Sequence, residues 1–264
     1  MIEKNVEFKL KNHNDPFAQG FCSFFMQNFA IFNNLDLEDY CGNGNLIRGE
    51  KIVVSDHQKC DIGLMNIDTD RSPPEAKIVF SNAKEEYGEN EFFFPYLLNA
   101  RNESLLIDVF EKRIKYNKKY HCIAIFNSHT NDIRKDIIEN LTEVCDIVIV
   151  DGINIKTQDR EINCIFDLWN LMRDSSFCLC PPGHTDETYR FYEALKCHCI
   201  PLEFNCKCKR LMDFSEKYIV SKEELEKIRY LEYSEEDLCC VQNNIEREFL
   251  LKYLVEKISS YNVG

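Results

Sequence analysis

The chain lacks the long apolar run that a membrane span requires. No stretch approaches the ~20 apolar residues needed to cross a bilayer. The opening MIEKNVEFKLKNHND contains no apolar signal core. Both absences predict a soluble, cytoplasmic protein. Glycine and proline are sparse, at 9 and 7 in 264 residues, and no Gly/Ser linker, repeat or low-complexity segment interrupts the chain. Cations are outnumbered, and the net charge of −13 argues against general binding to nucleic acid or anionic membranes. A phosphate ligand stays open, because a helix N-terminus and a few local cations suffice to hold one. There is no G-x-x-x-x-G-K-[ST] loop and no G-x-S-x-G elbow, so neither a P-loop nor an α/β-hydrolase nucleophile is signalled.

Cysteine, by contrast, is abundant, with 14 residues and three Cys-x-Cys pairs at Cys178/Cys180, Cys197/Cys199 and Cys206/Cys208. Zinc ligation is one use of such pairs. The better reading is reduced, buried thiols, because Cys178 and Cys180 share one face of an apolar strand and free Cys packs as a small hydrophobe. No metal site is therefore assigned.

The 44% apolar content supports a real core, and apolar runs alternate with helical patterns as in parallel βα units. Expected strands are 6–10, 51–54, 62–65, 77–80 and 92–98, then 122–126, 146–150, 200–202 and 218–220. Expected helices are 17–32, 133–141, 165–172, 187–197, one from Lys222, and one long helix over 235–259. The simplest architecture is α/β with two facing Rossmann-like domains, divided at 1–115 and 116–264. The C-terminal helix closes the second and packs back.

Ser175–Phe204, SSFCLCPPGHTDETYRFYEALKCHCIPLEF, carries the most chemistry. It reads as strand, Pro-Pro-Gly turn, helix and strand. A helix opening at the carboxyl end of a parallel strand aims free N–H groups at a crevice where anions bind. Arg190 and Glu193 lie three apart on one helix face. One can neutralise a diphosphate, and the other can accept from ribose hydroxyls. Arg134 repeats the pattern: FNSHTNDIRKDII places a strand end, a polar loop with Ser128, and then an arginine in the first helical turn.

The run FCLCPPG, then Arg190, Glu193-Ala194 and Cys199-Ile200-Pro201, resembles the exostosin family of glycosyltransferases, family 47. Those proteins show FCL-x-P-x-G, R-x-x-E-A and GCIPV at these places. His198 stands where their glycine is usual. MDFSEKYIVSKEEL, Met212 to Leu225, resembles the segment that follows. The resemblance covers 175–228 well and 120–150 weakly.

It implies a GT-B-like fold and an inverting glycosyltransferase moving a sugar from a nucleotide diphosphate sugar, a UDP-sugar by preference, to a glycan hydroxyl. The partners would be that donor and an oligosaccharide or glycoprotein glycan. No cofactor or metal is required. Arg190 would contact the diphosphate and Glu193 the ribose, with Gly183, Thr188 and Tyr189 beside them. The Ser128–Arg134 arrangement is similar to one that grips the donor in fucosyltransferases, which keeps a GDP-fucose-type enzyme as an alternative. Two further alternatives are a metal-dependent glycosyltransferase using Asp68 and Asp70, and a non-catalytic nucleotide-binding protein of the same fold. The catalytic base is expected at His13 or Asp15 in the loop after the first strand, although Asp15-Pro16 also reads as a helix start. Asp56 and His57 are a second pair.

Overall fold

The computed structural model describes residues 6–11, 15, 17–25, 52–65, 75–82, 86–95, 118–156, 162–184, 187–205, 218–243 and 247–260. Packing groups Met1–Ala100 with Asn244–Gly264, and Arg101–Asn243 as a second unit. The expected division at 115/116 kept the C-terminal helix in the second unit, whereas the last helix groups with the first.

The first unit is built on five strands: β1 (Val6–Lys9), β2 (Ile52–Ser55), β3 (Cys60–Met65), β4 (Ala76–Ser81) and β5 (Glu91–Phe93). They lie in chain order and are parallel throughout. Ile62, Leu64, Ile78, Val79 and Phe80 are all buried, so both faces of the central strands are covered. Helix α1, residues 17–25, spaces Phe17, Phe21, Phe24 and Phe25 along one buried stripe. Phe21 meets Phe80 and Phe94 with ring centroids 5.3 and 4.8 Å apart.

Parallel neighbours usually need a crossover of a dozen residues or more. Here β2 and β3 are joined by the four residues Asp56–Lys59. This link departs from the expected βα alternation, and it is stitched by the hydroxyl of Ser55. That oxygen donates to the carbonyl of Lys9 at 2.7 Å and accepts from the amides of His57 and Gln58 at 3.3 Å.

The second unit holds β6 (Tyr120–Phe126), β7 (Ile147–Val150), β8 (Ile153–Asn154), β9 (Ser175–Cys180), β10 (Ile200–Phe204) and β11 (Ile219–Val220). Their spatial order is β11-β10-β9-β6-β7-β8, all parallel except the β7–β8 hairpin. Asp151 and Gly152 make that turn at φ 53° and 81°, a pair of positive values suited to a tight hairpin. Every residue of β9 is buried.

Helices α2 (Asp132–Val144), α3 (Ile165–Arg173), α4 (Tyr189–Lys196) and α5 (Glu235–Asn243) belong to this unit. Helix α6 (Arg247–Ser260) belongs to the first. The apolar period over 235–259 therefore serves two cores: Leu238 and Val241 are buried in one, Leu254 and Ile258 in the other. The stretch Lys222–Tyr230 is 3-10 rather than α-helical. Among the described residues, no helix is long and apolar enough to cross a membrane.

The topology locates a crevice. From β6 the chain runs to β7 on one side, and from β9 it runs to β10 on the other. The carboxyl ends of β6 and β9, adjacent in the sheet, thus form the switch point where ligands bind in open α/β sheets.

Candidate functional site

Two loops meet at this switch point, and Arg134 latches them together. It lies in the first turn of α2, 8% exposed. Its Nε donates to the carbonyl of Pro182 at 2.8 Å, Nη2 to Pro181 at 2.9 Å and Nη1 to Asn127 at 3.1 Å. Its guanidinium also lies 5.7 Å from the Phe126 ring centroid. Asn131 works beside it: its Oδ1 caps α2 by accepting from Ile133 N at 3.0 Å, and its Nδ2 donates to the carbonyl of Gly183 at 2.8 Å. The Pro-Pro-Gly turn is therefore held from across the sheet by two side chains of the β6 loop and α2. Among the described residues no carboxylate pairs with Arg134. Burial, and then the charge of Arg190, pushes its pKa down to about 10, which leaves it a cation at neutral pH.

Arg190 rises from the first turn of α4. Its Nε donates to the carbonyl of Ile125 at 3.2 Å and its Nη1 to Glu193 Oε2 at 2.7 Å. Glu193 Oε1 accepts from Trp169 Nε1 of α3 at 3.4 Å. The pair is partly sheltered, with 22% and 10% of the side chains exposed. Two guanidinium groups thus stand at the switch point, and among the described residues only Arg190 of the two is paired with a carboxylate. Such an arrangement attracts an anion.

The remaining expected donor residues fall around this centre. Thr188 stands at the N-cap of α4 with extended backbone, and its side chain caps no amide. Its Oγ1 is buried with no hydrogen-bond partner among the described residues. The helix begins at Tyr189, two residues later than expected, and Tyr189 is 37% exposed. A Cβ at Gly183 would sit 3.5 Å from Arg134 Nη2, an ordinary van der Waals contact, so the turn lies directly against the latch. Ser128 turns instead to the β7–β8 hairpin: its amide and hydroxyl donate to Asp151 at 2.9 and 2.7 Å. The hydroxyl bond from Ser128 is the main cause holding the Asp151 carboxyl below its usual range.

Of the expected base residues, Asp15 is 3% exposed, and its Oδ1 accepts from the amides of Phe17 and Ala18 at 2.9 and 3.2 Å. It caps α1. His13, Asp68 and Asp70 lie outside the described residues. Trp169 and Asn131 complete the site without having been read as part of it. Their partners Glu193 and Gly183 lie 24 and 52 residues further along the chain, which no local pattern reveals.

The Exostosin GT47 domain model matches residues 53–234, more than two-thirds of the chain. That span contains every residue of the crevice described above. No curated protein matches the chain.

Proposed function

Because this chain belongs to the exostosin GT47 family of glycosyltransferases, we propose that it moves a sugar from a nucleotide diphosphate sugar to a hydroxyl of a glycan. We further propose a UDP-sugar donor and inversion at the anomeric carbon. The observation that carries this reading is the two cations Arg134 and Arg190 at the switch point, of which only Arg190 is paired with a carboxylate among the described residues.

In this reading Arg190 swings its terminal N–H groups toward the diphosphate. The first-turn amides of α4 donate to the same charge, beside the latched Pro-Pro-Gly turn. Arg134 adds a fixed positive potential and keeps the turn in place. Glu193 accepts from the ribose hydroxyls while keeping Arg190 aimed. The Thr188 hydroxyl donates to a donor oxygen, and Gly183 and Tyr189 border the same space, with Ser128 at its rim. The reaction is a direct displacement: the acceptor oxygen bonds to the anomeric carbon, and the bond to the leaving diphosphate breaks. The cations stabilise the departing charge, so the scheme requires no metal. Cytoplasmic action is part of the proposal and is supported by the free, buried thiols, which suit a reducing compartment.

Titration calorimetry tests this reading, with UDP, GDP and a UDP-sugar panel, each with manganese and with chelator. UDP should bind in chelator, and Arg190→Ala should weaken it by about 10- to 100-fold, the loss of one or two charge-assisted hydrogen bonds. Thr188→Val should weaken binding without lowering stability. The reading fails if no nucleoside diphosphate binds. Binding seen only with manganese would move the donor site to a metal-dependent design, and preference for GDP would replace the donor.

A further inference from the structure

The first turn of α3 carries an aromatic ring that the donor reading leaves without a task. Phe166, the second residue of that helix, is 38% exposed, while Trp169, one turn on, is fully buried. The helix delivers the chain to the amino end of β9 through the single residue Asp174. Its first turn therefore lies toward the opposite, carboxyl edge of the sheet, where the crevice opens. That turn is fixed: Asp167 Oδ2 accepts from the amides of Asn163 and Cys164 at 3.0 and 3.1 Å. The rings of Phe166 and Trp169 meet edge to face, with centroids 5.6 Å apart and planes at 88°. A ring in such a pair gives up at most one face, so Phe166 keeps at least one face clear of Trp169.

The contacts of Glu193 fix which end of a nucleotide this ring would meet. One carboxylate oxygen takes Arg190 at 2.7 Å, and the other takes Trp169 at 3.4 Å. The diphosphate belongs on the Arg190 side and the ribose at the carboxylate, so the base extends to the Trp169 side. Phe166 is the exposed ring in contact with Trp169 there. Tyr189, also part-exposed, is the chain neighbour of Arg190 and begins α4, at the diphosphate end. A lone exposed phenylalanine is ordinary on a protein surface. This one is tied to the nucleotide site through a tryptophan that is itself bonded to the ribose carboxylate.

We propose that Phe166 is the platform on which the nucleobase of the donor stacks, with the buried Trp169 as the wedge between it and Glu193. This proposal rests on the nucleotide-sugar reading above. Every base has a π-face, and a stack on an aromatic side chain holds it without reading its edge. The platform therefore supplies affinity for a nucleoside diphosphate over a bare diphosphate. Water leaving the exposed face of Phe166 adds to that affinity. The ring takes no part in the displacement at the anomeric carbon.

The test is calorimetry on the full chain, in chelator, with UDP, GDP and inorganic pyrophosphate, which lacks a base. The parent should bind UDP more tightly than pyrophosphate. Phe166→Ala should weaken UDP binding by about 5- to 100-fold, the value of one base–aromatic stack. Phe166→Leu keeps an apolar cover over Trp169 but no ring, and it should lose most of the same affinity. Phe166→Tyr keeps the ring and should bind UDP within about twofold of the parent. Pyrophosphate should bind the parent and all three variants alike. Equal loss of UDP and pyrophosphate affinity in Phe166→Ala would give the ring a structural role and overturn the proposal. Full UDP affinity in Phe166→Leu, or a UDP loss confined to Tyr189→Ala, overturns it too. If the parent binds UDP no better than pyrophosphate, the diphosphate site stands and the base platform falls. If the parent binds none of the three, the donor reading falls and takes the platform with it.

Discussion

Glu193 receives Arg190 at 2.7 Å across one turn of α4, while its other oxygen accepts from Trp169 at 3.4 Å. The carboxylate ties the cation of the crevice to the tryptophan in the core. A surface pair at this spacing would contribute only ~0.2–0.5 kcal/mol. This one is mostly sheltered, so removing one partner leaves the other poorly solvated.

The first prediction follows from that shelter. Glu193→Ala should destabilise the protein by about 1–3 kcal/mol, since it leaves Arg190 beside Arg134 with no counter-charge. Arg190→Ala should cost less, and the double variant should be more stable than Glu193→Ala alone. Urea unfolding of the three variants gives the coupling energy. Additive losses would show that the two side chains act separately.

Arg134 supports a second prediction. Its three bonds all go to carbonyls, two of them in Pro181 and Pro182, 47 and 48 residues away. Arg134→Lys keeps the charge but not the planar fork. It should therefore lose about 1–2 kcal/mol of stability and most of the UDP affinity, because the Pro-Pro-Gly turn comes loose. Lysine restoring both would mean that charge alone matters at this position.

These bonds also mark where sequence reading stops. The strand, turn, helix and strand of Ser175–Phe204 are legible because an apolar run, Pro181-Pro182-Gly183 and the restart at Ile200 each leave a local pattern. The pair Arg190 and Glu193 is legible because helix periodicity brings them together. The grip of Arg134 and Asn131 on the turn leaves none, since a side chain bonding a distant carbonyl imposes no residue type on its partner. In the first sheet the five strands are legible, but one connection is hidden for a related reason. Its β2–β3 link, four residues long, depends on the hydroxyl of Ser55 and not on a crossover helix with its own period. Likewise, the continuous apolar spacing over 235–259 could not show that α5 and α6 serve different cores.

His198 yields a third prediction, and it explains a departure from the family pattern. The amide of Cys199 donates to Ala194 O at 2.9 Å and that of His198 to Leu195 O at 3.1 Å. These are the two bonds of a Schellman ending, with His198 at the left-handed position, φ 57°. Glycine, usual there in relatives, takes that conformation without strain. The carbonyl of His198 accepts from Lys118 at 2.6 Å, and any residue would offer that group. His198→Gly should raise stability by about 0.5–1 kcal/mol, the relieved strain less the added freedom of the unfolded chain. His198→Ala keeps the strain and should gain nothing. Thermal unfolding of both variants decides it, and a loss on His198→Gly would assign the imbalance to packing of the imidazole.

The last prediction concerns the thiols. Cys122, Cys178, Cys180, Cys197 and Cys199 are 0–3% exposed, lining the strands and turns of the second sheet. The Sγ atoms of Cys122 and Cys145 approach to 3.6 Å as free thiols. Burial holds Cys180, Cys197 and Cys199 well above the usual thiol range, and Cys122 is held there by its hydrogen bond with Cys145 and then by burial. The thiolate is the reactive form, so these four lack both the ionisation and the access that alkylation needs, and Cys178 lacks the access. Cys164, Cys239 and Cys240 are exposed. With iodoacetamide near pH 7.5, peptide-resolved mass spectrometry should find those three modified about 100-fold faster than the buried set, as expected when thiolate fraction and access both fall. The difference should disappear in urea. Rapid native labelling of Cys178 or Cys199 would mean that the second sheet opens on the labelling timescale. The packing of β9 would then be looser than its full burial implies.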